Sequence, residues 1–144
     1  MFQRFLLAWD GSQVALRAFD VAIDMTRRYE GELVAVSIAY SPGHAETTSD
    51  REESVAAARR YLEQSFAEVR DRADRAGVTV EHQIIEGDQP SRALLNHAHE
   101  HGFDLIVCGQ HHSRRAGRLL LHGVADDLVT AAVTPVLVVG EEAE

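Results

Sequence analysis

The residues best suited to chemistry in this chain stand together between Gly109 and Val124, in the stretch GQHHSRRAGRLLLHGV. Glycine occurs there at Gly109, Gly117 and Gly123, and His111, His112 and His122 lie near Arg114, Arg115 and Arg118. A glycine-rich loop between a short apolar run (LIVCG) and a helix-like segment (VADDLVTAA) can turn backbone N–H groups toward phosphate oxygens. If the loop folds back on itself, His111, His112 and His122 would converge, which suggests a different chemistry, a zinc-type metal site. No HxxxH, HExxH or CxxC spacing occurs within the loop, so that ligand set matches no common zinc pattern. A third reading is that the histidines are solvated and the arginines form a charged loop face.

Three other groups qualify as reactive. Asp10 follows an apolar run and is either a ligand-contacting carboxylate or a cap for the turn it begins. Cys108 ends an apolar strand, which predicts a small core residue and not a nucleophile. His97, His99 and His101 alternate along a helix, and residues two apart do not share a face, so no chelating face is expected there. No nucleophile with an adjacent base and orienting partner is evident, so no catalytic residue is assigned.

These residues need a scaffold. The chain has 144 residues, enough for one compact domain over residues 1–144, with 45% hydrophobic and 26% charged residues. A net charge of −9 speaks against nucleic acid as a partner, since phosphate neutralisation needs clustered cations. All 14 basic residues are arginine. One cysteine excludes an internal disulfide framework and fits a reducing compartment. No membrane-spanning run and no cleavable leader are read, so the expected location is cytoplasmic.

The pattern alternates strand and helix. Phe5–Trp9 (FLLAW) reads as a strand buried on both faces, and Ser12 is placed to cap a helix carrying Leu16, Phe19 and Ile23. Leu33–Ala39 is a second strand, followed by a loop over 40–49 with Asp50 as the expected cap. Val55, Ala58, Leu62, Phe66, Val69, Ala73 and Ala76 then form an apolar stripe that ends at Gly77. Val78–Glu86 is a third strand, and Pro90 opens a helix running to about His101. Leu105–Gly109, a fourth helix and Val136–Val139 complete a β-α-β-α-β-α-β-α-β order. That order predicts a three-layer α/β/α fold, a parallel sheet with helices on both faces. Ligands in such sheets bind beyond the C-terminal strand ends, where Asp10 and both long loops fall.

FLLAWDGS, EGD, FDLIVCG and LLLHGVADDLV followed by TPVLVV, in that order, make the chain similar to the universal stress protein family. The resemblance spans essentially the whole chain. It implies a five-stranded sheet in order 3-2-1-4-5, of the adenine nucleotide alpha hydrolase-like type. It also implies a homodimer pairing Val136, Leu137, Val138 and Val139 across a two-fold axis.

Nucleotide-binding members carry the motif G-x2-G-x9-G-[ST]. Mapped without gaps, its first glycine is Gly109, but His112 and His122 occupy the other two and Gly123 the hydroxyl position. A one-residue insertion would instead let Gly123 serve as the third glycine. The adenine-side positions Asp10, Ile38 and Cys108 are kept, and Val124 begins the following helix. An imidazole adds bulk where a phosphate would sit, and glycine's conformational freedom is lost. Asp126 and Asp127 oppose an anion at that helix start. The expectation is a non-catalytic stress-response regulator that does not hold ATP in the usual way. The alternatives are an adenine-nucleotide sensor for ATP, AMP or a cyclic nucleotide, a histidine-lined metal variant, and a weak ATPase or nucleotide hydrolase. Beyond the homodimer, an unidentified regulatory protein is the partner class.

Overall fold

A computed structural model describes residues 1–40, 47–110 and 124–141. Its strands are β1 (Arg4–Ala8), β2 (Glu32–Tyr40), β3 (Val80–Gly87), β4 (Leu105–Gln110) and β5 (Val136–Gly140). They alternate with α1 (Gln13–Tyr29), α2 (Thr48–Arg75), α3 (Pro90–Glu100) and α4 (Val124–Ala131). All pairings are parallel, and the sheet order is β3-β2-β1-β4-β5.

β1 is central, with Leu6 opposite Val34 on one side and Ile106 on the other. Helices cover both faces of β1, which explains why its run is apolar without alternation. Its side chains divide by parity. Phe5, Leu7 and Trp9 join α1 and α2 in one core, while Leu6 and Ala8 join α3 and α4 in the other. The first core centres on Trp9, Phe19 and Phe66, whose rings meet edge to face with centroids 5.8 to 5.9 Å apart.

Helix ends follow local chemistry. Ser12 caps α1, its Oγ accepting from the Ala15 N–H at 3.1 Å. Gly77 takes φ +76° beyond the end of α2, as a C′ glycine does. The cap of α2 is Thr47, not Asp50: Thr47 Oγ1 accepts from the Asp50 N–H at 3.0 Å. Asp50 lies in the first turn, where its charge favours the helix N-terminus. Within the α2 stripe only Leu62, Phe66 and Ala73 are buried; Val55, Ala58, Val69 and Ala76 are half-buried. β3 begins two residues later than expected, and β5 extends to Gly140.

Candidate functional site

The C-terminal edge of β1 sets the site's centre. Trp9 continues the ladder, its N–H donating to the Val36 carbonyl at 3.0 Å, and Asp10 then leaves the sheet. Asp10 is only 1% exposed. Its Oδ1 accepts from the Ser12 backbone N–H at 2.9 Å and from the Ser12 hydroxyl at 2.5 Å. Burying a carboxylate is costly unless hydrogen bonds compensate it, and these two bonds also orient it. Of the two roles anticipated for Asp10, this geometry serves the structural one: the carboxylate holds the turn that places Ser12 as the helix cap.

α2 leans over this turn, a contribution absent from the sequence reading. Gly11 has φ +82°, and a Cβ there would lie 2.7 Å from the Tyr61 hydroxyl and 3.1 Å from Ser65 Oγ. Ser65 also accepts a hydrogen bond from the Trp9 indole N–H at 3.1 Å. Burial raises the Tyr61 phenol pKa, with smaller upward contributions from the nearby Asp10 and Glu68 charges. The available signal was spacing: Tyr61 and Ser65 lie four apart beside Leu62 and Phe66, so they flank the buried stripe.

A second buried chain supports Trp9 from below. The Ser37 hydroxyl donates to the Trp9 carbonyl at 2.7 Å and accepts from His82 Nε2–H at 2.9 Å. The His82 ring stacks on Phe66 with centroids 4.4 Å apart. Burial, then the Arg70 charge, lowers the His82 pKa to about 4, so the ring is neutral near pH 7.

At the neighbouring strand end, Gly109 packs directly on α1. A Cβ on it would meet Val14's carbonyl carbon and both γ-methyls at 2.9 Å. Glycine here therefore has a packing cause that operates without any phosphate. Ile38, Cys108 and Val124 lie in one buried cluster on the α3–α4 face, where they form apolar walls. Burial raises the Cys108 thiol to about 11, in line with a core residue and unlike a nucleophile. Gln110 Nε2 donates to Asp126 Oδ1 at 3.1 Å, tying the end of β4 to the first turn of α4.

His111, His112, His122 and Gly123, with Arg114, Arg115 and Arg118, lie outside the described residues. At the sheet edge, Val136 and Val138 pack toward one core and Leu137 and Val139 toward the other, all half-buried. The two larger of three grooves among the described residues lie, like the third, away from Asp10. One, of about 660 Å³, runs between α3 and α4 past Arg92, Asn96 and Thr130; the other, of about 770 Å³, lies near Arg27 and Gly77.

A sequence profile described as the universal stress protein family matches residues 1–140. The chain belongs to that family. Among its relatives, the universal stress protein YxiE of Bacillus subtilis is 27% identical over 150 residues, spanning 96% of this chain and 99% of YxiE. A universal stress protein family structure from Burkholderia pseudomallei is 28% identical with a TM-score of 0.75, covering 96% of each chain. A universal stress protein solved in complex with cAMP is 27% identical with a TM-score of 0.71, covering 96% of this chain and 97% of its own. As a universal stress protein, the chain carries its family's sheet order around the Asp10 turn. Among the described residues no helix is long and apolar enough to cross a membrane.

Proposed function

We propose that this universal stress protein is a non-catalytic cytoplasmic regulator whose strand-end crevice takes an adenine nucleotide with one phosphate. AMP or cyclic AMP fits this reading better than ATP held in the usual triphosphate geometry. The carrying observation is the buried Asp10 carboxylate, pinned by Ser12 at the end of the central strand. The cAMP complex of a 27% identical relative supports the choice of nucleotide class. The sequence supports the phosphate limit, because His112 and His122 stand at two glycine positions of the motif. Glycine offers phosphates a close, unhindered backbone, and imidazole does not. The non-catalytic part rests on the sequence, in which no nucleophile with an adjacent base and orienting partner is evident. A homodimer through the half-buried β5 edge would present the nucleotide state to a regulatory partner.

Calorimetric titration with cAMP, AMP, ADP and ATP tests this reading. The expected result is micromolar binding of cAMP or AMP, ATP weaker by about tenfold or more, and loss of all binding in Asp10→Ala. Ligand at 100 times its Kd should add about 2.7 kcal/mol of stability. ATP binding as tightly as AMP overturns the phosphate limit. Absence of all nucleotide binding leaves a regulator that acts through its surface alone.

A further inference from the structure

The C-terminal turn of α3 holds an arrangement that the strand-end site does not use. His97 and His101 are four residues apart and share a face, their rings stacked with centroids 4.1 Å apart and planes 26° apart. The alternation of His97, His99 and His101 had argued against a chelating face; that holds for neighbours two apart but not for the outer pair. An i, i+4 pair of histidines on a helix brings two imidazoles within reach of one ion.

The hydrogen bonds define which nitrogens are available. Gln83 Nε2 donates to Glu81 Oε1 at 3.0 Å, which turns Gln83 Oε1 toward His97. His97 Nε2 lies 2.9 Å from that oxygen and must carry the proton, leaving a lone pair on Nδ1. His101 Nδ1 lies 3.0 Å from the His97 carbonyl and donates to it, leaving a lone pair on Nε2. Histidines that bind metals commonly donate their other N–H to a carbonyl or carboxyl-type oxygen in this manner, which fixes the tautomer and strengthens the ligand. The helix C-terminus and a chain of net charge −9 both favour a cation there.

We propose that His97 and His101 form a binding site for a borderline transition-metal dication of the Zn²⁺ class, through His97 Nδ1 and His101 Nε2. The stacked rings swing apart on loading, because both lone pairs must meet one ion about 2 Å from each nitrogen. Among the described residues no cluster of three or more histidine, cysteine or acidic side chains is placed for a metal. Water therefore completes the coordination, and the site is an exchangeable one. It is independent of nucleotide binding.

The test is Zn²⁺ titration of the full chain by calorimetry at about pH 7.5, because metal ligation needs unprotonated imidazole. One ion per chain is expected for the wild type, for H99Q and for the triple variant H111Q/H112Q/H122Q. H97Q and H101Q should each weaken binding by about tenfold or more. Nitrogen-15 NMR should show Zn²⁺ shifting His97 Nδ1 and His101 Nε2, and circular dichroism confirms that each variant is folded. Absence of binding, full affinity retained in H101Q, loss of binding in the triple variant, or shifts at the opposite nitrogens would each overturn the proposal.

Discussion

Gly109 and Val14 touch so closely that a side chain at position 109 would stand 2.9 Å from Val14's carbonyl carbon and both its γ-methyls. In a loop motif this glycine is taken as a phosphate contact, yet here it lets β4 and α1 meet. Gly109→Ala should therefore destabilise the fold by roughly 1–3 kcal/mol, the range of core overpacking. Urea denaturation measures this, and Val14→Ala in the same chain should recover part of the loss. Unchanged stability with weakened nucleotide binding would assign the glycine to phosphate instead.

Ser12 serves two neighbours at once, accepting from Ala15 and donating to Asp10. Ser12→Ala removes both bonds, so the cost should exceed the roughly 1 kcal/mol of a cap alone. Ser12→Asp would keep a capping oxygen but place a second carboxylate against Asp10. It should therefore rescue less than Ser12→Thr does. Thermal unfolding of the three variants gives the order.

His82 has a pKa lowered from 6.5 to about 4, so between those values the unfolded chain binds more protons than the folded one. Stability should then rise with pH across that window, be fully present above about 6.5, and fall as pH drops toward 4. The size is on the order of 2 kcal/mol, allowing for the partial hydration of the ring. His82→Phe keeps the stack on Phe66 and removes the proton site. Its unfolding free energy should show a flatter dependence from about pH 6.5 to 4; an unchanged slope would place the titration elsewhere.

Cys108 is buried and its thiol is pushed up to about 11, so almost none is thiolate at pH 8. A disulfide reagent such as Ellman's should react negligibly with the native chain and promptly in urea. Fast native reaction at one equivalent would show that the strand end opens to solvent.

The sequence legibly encoded the strands and helices that rest on local period. FLLAW had to be a doubly covered strand, and the Leu62, Phe66, Ala73 spacing had to be one helix face. Ser12 was recognisable as a cap because capping acts over three residues. Asp10 was recognisable as a site candidate because it follows the central strand. The misplaced cap of α2 has the same local origin: Thr47 and Asp50 both suit the position, and the backbone conformation at Thr47 decided between them. The His97–His101 pair was also present in the spacing, hidden by the intervening His99.

Pattern alone determined the alternation of elements, the two-faced sheet and the family likeness, because periods of 2 and 3.6 residues are written in the order of side chains. The tertiary structure decided which distant groups meet. Trp9 finds Ser65 across 56 positions, Ser37 finds His82 across 45, and Gln83 turns its carbonyl toward His97. Those contacts depend on how far each helix rotates and slides on the sheet, and that is set by the packing of whole side-chain volumes in two cores. No local stretch contains that information, so Tyr61 above Gly11 and Val14 against Gly109 emerged only when the layers closed.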